Sequence, residues 1–256
     1  MRGSLTIKER SLVIASLFVS GFLFWEVVGV SAATISSAGD GKWSEVTTWN
    51  STTKTGKITF ADDSLEVLGV DTLFMTELSV GSIVKATVSR GSVSMTVATI
   101  IDDKHLTVTA LPSFDSGVAK TFSASILPRP NDEVIISSGD QVVVDLDTSV
   151  ASLSFPTNNT GSSSLTLDPG RTLTVATTVT IPRASSPAFN ILNVANGHLI
   201  TGSIHFGNGG TPSAKRHQLW IGDGLATVTN VTQMGSSGSA LINFNGVGKL
   251  QVAGGV

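Results

Sequence analysis

The sequence predicts an all-β chain: an exported, right-handed parallel β-helix of about five coils carrying one small inserted antiparallel β-barrel module. Three observations carry that prediction. Charged residues are 14% of the chain, there is no cysteine, and Ser, Thr, Gly and Val are abundant, a composition of short strands and tight turns. Apolar residues alternate with polar ones over many short runs, the period of a strand with one buried face. Pairs of apolar residues also precede a glycine at fixed offsets, again and again, through the second half of the chain.

The elements follow in order. Arg2, Lys8 and Arg10 lead into an apolar stretch from Ser11 to Trp25, and Ser31, Ala32 and Ala33 follow. A basic start, an apolar core and a small-residue exit read as a signal peptide over residues 1–33, helical while intact. The stretch is short for a membrane span of about 20 residues, and Glu26 interrupts its end, so cleavage is favoured over anchoring. The expected location is secreted or cell-surface, with membrane contact solely through an uncleaved leader.

Residues 34–52 form a tryptophan-containing entry, with Trp43 and Trp49 six apart and so on one side of an extended strand. Such a pair caps an apolar core or offers a stacking platform to a sugar. Residues 53–128 hold runs such as Lys57–Phe60, Ser82–Val88, Ser92–Val97 and His105–Thr109, joined by tight links at 89–92 and 102–104. Several short strands so connected make a small antiparallel barrel or sandwich.

From residue 129 to 256 the glycine pattern governs. Val134/Ile136/Gly139, Leu165/Leu167/Gly170, Leu192/Val194/Gly197 and Leu219/Ile221/Gly224 share offsets of five and three, and Ile242/Phe244 before Gly248 slips by one. The glycines lie 31, 27, 27 and 24 residues apart, and the polar run 157–164 reads as a loop swollen out of one turn. Coils of a solenoid fit such repeats, because inward residues stack between coils while glycine turns the corner. The last coil reads as an open end, which predicts stacking or continuation there.

Function is less legible. From Thr34 to Val150 there are eight Lys/Arg against fifteen Asp/Glu, whereas from Ala151 onward there are five against two, Asp168 and Asp223. Both acids sit just before corner glycines, where Asp bonds its own turn. Hydrolysis of a glycosidic bond needs two facing carboxylates, so no catalytic set is expected. Asp145 and Asp147 are weak candidates for a metal; His198 and His205 lack a third ligand by spacing. Lys215, Arg216 and His217 beside Trp220 form the basic–aromatic cluster, a weak candidate for an anionic glycan, as are Trp43 and Trp49. No cofactor is expected, and a net charge of −3 gives no case for nucleic acid.

Gly39-Asp-Gly-Lys-Trp-Ser44, Thr48-Trp49, Pro130–Ile136, Gly139 and Val142–Asp145 together resemble the eight-glycine domain family. The resemblance covers residues 37–50 and 129–180, with some 80 residues between its two parts, so the barrel-like module would be inserted in the first coil. It implies a solenoid domain of large exported or surface proteins. The expected role is structural or adhesive, with glycan, matrix or an extracellular protein as partner. The alternative is an accessory, carbohydrate-binding or degenerate domain of a polysaccharide-active β-helix enzyme.

Overall fold

The computed structural model describes residues 32–60, 64–88, 91–110, 118–157, 161–184, 187–207, 217–233 and 240–254. The expected leader up to residue 31 lies outside the described residues, as do Lys215 and Arg216. Among the described residues no helix is long and apolar enough to cross a membrane. The fold is all-β, 55% strand and 4% helix.

Two short strands come first, β1 (Thr34–Ser36) and β2 (Gly41–Lys42). An antiparallel sheet follows: β3 (Thr52–Thr53), β4 (Lys57–Phe60), β5 (Glu66–Val70), β6 (Ile83–Val88), β7 (Gly91–Ile100), β8 (His105–Val108) and β9 (Phe122–Ser125). Its order is β3-β9-β6-β7-β8-β5-β4. Ile58 of β4 and Lys120, just before β9, exchange both backbone hydrogen bonds at 2.8 Å, which closes the sheet on itself. Alternate residues fill the interior, among them Ile58, Val67, Val84, Val97, Leu106 and Ala124. A short helix, α1 (Phe74–Glu77), plugs it with Phe74, whose ring meets Phe122 edge-on at 5.9 Å.

The rest of the chain winds between two parallel sheets. Its strands are β10 (Glu133–Ile135), β11 (Gln141–Val144), β12 (Thr148–Val150), β13 (Ser152–Ser154), β14 (Ser163–Leu167), β15 (Thr172–Ile181), β16 (Asn190–Asn193), β17 (His198–Phe206), β18 (His217–Ile221), β19 (Leu225–Gln233), β20 (Leu241–Phe244) and β21 (Lys249–Val252). One sheet runs β2-β11-β14-β16-β18-β20; the other runs β1-β10-β13-β15-β17-β19-β21, with β12 also on β15. Because β1 and β2 pair with β10 and β11, the closed antiparallel sheet lies, in sequence, inside the solenoid's first rung.

The regular part is about three turns: β14–β15, β16–β17 and β18–β19. Each begins with a short strand in the six-stranded sheet, turns at glycine, and continues in a long strand of the other sheet. Leu165, Leu192 and Leu219 are in register, as are Leu173, Leu199 and Ala226, and all six are fully buried. Stacking identical inward positions gives each aliphatic side chain partners above and below; burying one leucine contributes about 1.5–3 kcal/mol.

The first glycine copy is corrected by the register. Val134 pairs with Leu153 in the larger sheet, so Gly139 turns the opposite corner, from β10 to β11. The partners of Leu165 and Leu167 in the preceding rung are Val142 and Val144, and no glycine follows them before β12. Of the five copies, four with identical offsets and one slipped by one, the Gly139 copy is thus out of phase, and the regular part is about three turns with less regular rungs at either side. The polar run 157–164 is also shorter as a loop than expected, since Ser163 and Ser164 open β14.

Candidate functional site

At three of the corners, Gly197, Gly224 and Gly248, glycine serves close packing. At Gly197 a Cβ would lie 2.7 Å from the Cβ of Leu167 and 2.8 Å from the Arg171 carbonyl; at Gly224 it would lie 2.4 Å from the Gly197 carbonyl. Gly248 repeats the pattern against the carbonyls of Gly222 and Gly224, at 2.4 and 2.6 Å. Backbone thus rides directly on backbone where the coils turn, and the side chains beside the turn stand apart. The result is a cleft of about 390 Å³ running across Gly170, Gly197, Gly224 and Gly248.

Its polar rim is Asn196, His198, Asp223, Lys249 and Gln251. Hydrogen bonds between coils fix part of that rim. The Asp223 amide donates to Asn196 Oδ1 at 3.3 Å, and the Val247 amide donates to Asp223 Oδ1 at 3.0 Å. His198 Nε2 lies 3.1 Å from Thr227 Oγ1 of the next turn. A concave floor of backbone with a rim of an imidazole, an ammonium, amides and one carboxylate can hold a polar chain by hydrogen bonds. One carboxylate does not make a hydrolytic pair.

The outer face of the six-stranded sheet leads into this groove. Asn193, Trp220 and Asn243 are cross-strand neighbours there, all partly exposed, and Trp220 Nε1 donates to Gln218 Oε1 at 2.6 Å. The chain then passes through Gly222, Asp223 and Gly224 into the cleft. Of the expected cluster of Lys215, Arg216, His217 and Trp220, the first two lie outside the described residues and the last two do not share a face. His217 and Trp220 are three apart on β18, hence on opposite faces, and His217 is buried with its ring 5.9 Å from that of Phe206.

Other expected site residues are structural. Trp43 and Trp49 pack edge-on with centroids 4.8 Å apart, and each is 1% exposed, so no sugar ring can stack on either. They do not share a strand: Trp43 follows β2 and Trp49 follows a single 3-10 turn at Val46–Thr48. Asp145 accepts hydrogen bonds from the Ser44 hydroxyl at 2.6 Å and amide at 3.0 Å, whereas Asp147 accepts from the Thr172 amide at 2.8 Å. The two carboxylates thus hold different rungs. Burial pushes the Asp145 carboxyl up, but the Ser44 hydrogen bonds outweigh it and hold the group below its usual value. Among the described residues no three His, Cys, Asp or Glu converge as metal ligands.

Sequence reasoning missed Asn196, Lys249 and Gln251 as rim residues, although each lies within three positions of a corner glycine. No family model matches the chain, and no curated protein or solved structure matches it either.

Proposed function

We infer that the chain is a non-catalytic recognition module, exported and displayed by a secreted or cell-surface protein, which binds a glycan, a matrix component or a protein partner along its glycine corner. The observation that carries the reading is the cleft of about 390 Å³, floored by backbone and rimmed by Asn196, His198, Asp223, Lys249 and Gln251. Its polar mixture suits sugar hydroxyls, and Trp220, between Asn193 and Asn243 and three residues before Asp223, adds an aromatic face on the outer side of the six-stranded sheet. The winding is right-handed, as parallel crossovers are, and makes about five coils when the rungs flanking the regular turns are counted. The leader-like start supports export, and the tryptophan entry with its glycine and Val-x-Ile strand supports kinship with the eight-glycine domains.

A glycan array probed with residues 34–256 tests this reading. Retention of one class of glycan, weakened about tenfold or more by His198→Ala or Trp220→Ala, is the expected result. Release of shortened oligosaccharide, abolished by Asp223→Asn, would overturn both this reading and the alternative of an accessory or degenerate domain of a polysaccharide-active enzyme, since neither cleaves a bond. Binding without release that survives both rim substitutions would move the site elsewhere.

A further inference from the structure

Along the glycine corner each coil contributes the same three positions to the cleft: the residue before the glycine, the glycine, and the residue after it. They read Asn196-Gly197-His198, Asp223-Gly224-Leu225 and Val247-Gly248-Lys249. His198, Leu225 and Lys249 hold one register position on successive strands. The cleft is therefore a lane between two flanks, running along the solenoid axis and across the strands. From Gly170 to Gly248 it crosses three coil spacings, roughly 14 Å.

Two facts narrow what such a lane can hold. The backbone amides of its floor are already used. Those of Gly224 and Leu225 donate to the carbonyls of Ala195 and Gly197 at 2.8 and 3.0 Å, and those of Gly248 and Lys249 donate to Gly222 and Gly224 at 2.8 and 2.9 Å. An extended peptide binds chiefly through main-chain bonds, and its side chains on one face recur about every 6.7 Å, out of step with coils about 4.8 Å apart. The lane also carries no net formal charge. Asp223 and Lys249 are one charge of each sign, and they do not pair, since His105 with Asp102 is the one ion pair within 4 Å among the described residues. A polyanion would meet the exposed Asp223 midway along the lane, against whatever it gained at Lys249.

Side-chain contact is what the lane offers, and each coil supplies a set. The first has two polar flanks, Asn196 and His198; the second sets Asp223 against Leu225; the third sets Val247 against Lys249, with Gln251 beyond. A sugar ring has the matching character, with hydroxyls around its edge and C–H groups on its faces. Rings joined equatorially through opposite carbons make an extended chain that advances by close to one coil spacing per ring. We propose that the corner binds an uncharged, linear, extended polysaccharide laid along the solenoid axis, one ring to each coil. This rests on the recognition reading above and narrows it from glycan, matrix component or protein to one shape of glycan.

Calorimetric titration of residues 34–256 with cello-, manno-, xylo- and chito-oligosaccharides, each from dimer to tetramer, tests the match. Malto-oligosaccharides, whose chain curls, and oligomannuronate, extended but charged, serve as comparators. At least one extended neutral series is expected to bind, with affinity rising about tenfold or more from dimer to tetramer, and both comparators should bind at least about tenfold more weakly than that tetramer. His198→Ala and Lys249→Met stand two coils apart on one flank; each should weaken the tetramer about threefold or more, and their effects should multiply. A dimer covers two coils, so at least one of the two substitutions should leave its affinity unchanged. Affinity that does not grow with length, or equal binding of the curled or charged oligomers, would overturn the lane while leaving a glycan-binding module in place. Binding of no oligosaccharide would overturn it as well, and a protein or matrix ligand would then be the surviving form of the wider reading.

Discussion

Two corner glycines of the same sequence pattern are there for different physical reasons. Gly170 has φ +73°, a backbone that L side chains rarely adopt, yet a Cβ at that position would meet nothing within 4 Å. Gly224 lacks the positive φ, but a Cβ there would lie 2.4 and 2.7 Å from backbone carbonyls that cannot rotate away. Gly170→Ala should therefore cost about 1 kcal/mol of left-handed strain, while Gly224→Ala should cost about 1–3 kcal/mol and shift the coil below it. Urea denaturation of both variants ranks them; a larger loss in Gly170→Ala refutes the packing account. The Ser44–Asp145 bond is readable through pH. Its folded carboxyl is depressed despite opposing burial, so its contribution is present above the ordinary carboxylate value and is lost as pH falls through the folded pKa. Ser44→Ala should lower stability near pH 7 by less than about 1 kcal/mol, because solvent screens the site, and should match the parent protein at the acid end. Urea midpoints across the acid range check the convergence.

At the scale of elements, the runs with a strict period of two were legible: β4, β6, β7 and β8 all fall on predicted alternations. What composition concealed was phase. Val134 and Leu165 look alike in sequence because both precede a glycine by five, yet they belong to different sheets, and backbone pairing decides which. The tryptophans were read as strand neighbours when a 3-10 turn brings them together, a local geometry that a spacing of six does not reveal. The polar column was also hidden. Ser163, Asn190 and His217 occupy one inward register position on successive turns, and all three are buried. Polar residues at core positions are retained when they satisfy backbone groups. Asn190 Nδ2 donates to the carbonyls of Pro156 and Pro182 at 2.9 and 2.7 Å, tying the corner before β14 to the corner before β16. Replacing Asn190 by Leu, though it adds apolar surface, should cost about 2–3 kcal/mol because both carbonyls lose their donor. A thermal melt equal to that of the parent would contradict the tie.

For the molecule as a whole, the two parallel ladders make stability a property of neighbours: a coil is held by the coil on each side of it. The antiparallel sheet closes through Ile58 and Lys120 and so presents no long unpaired edge, and β1 is covered by Thr48–Asn50 through the hydrogen bonds of Ala38 and Asn50. At the other limit of the ladders β20 and β21 each pair on one side, Ile242, Leu250 and Val252 are partly exposed, and Phe244 is half exposed. Inward residues of β14, β16 and β18 are by contrast fully buried. In a polypeptide of residues 34–256 alone, opening should therefore begin at β20–β21 and travel inward, with β16 and β18, paired on both sides, opening last. Native-state hydrogen exchange measures this order directly. Amides of Leu192 and Leu219 should exchange only through global unfolding, whereas those of Ile242 and Leu250 should exchange by a local route insensitive to mild denaturant. Leu192→Ala should then lower global stability by about 2–5 kcal/mol, and Ile242→Ala should barely change it, since the second residue is already freed before the rest unfolds. Equal protection along the whole ladder would mean that the coils open as one unit, and the neighbour-by-neighbour account of the solenoid would have to be abandoned.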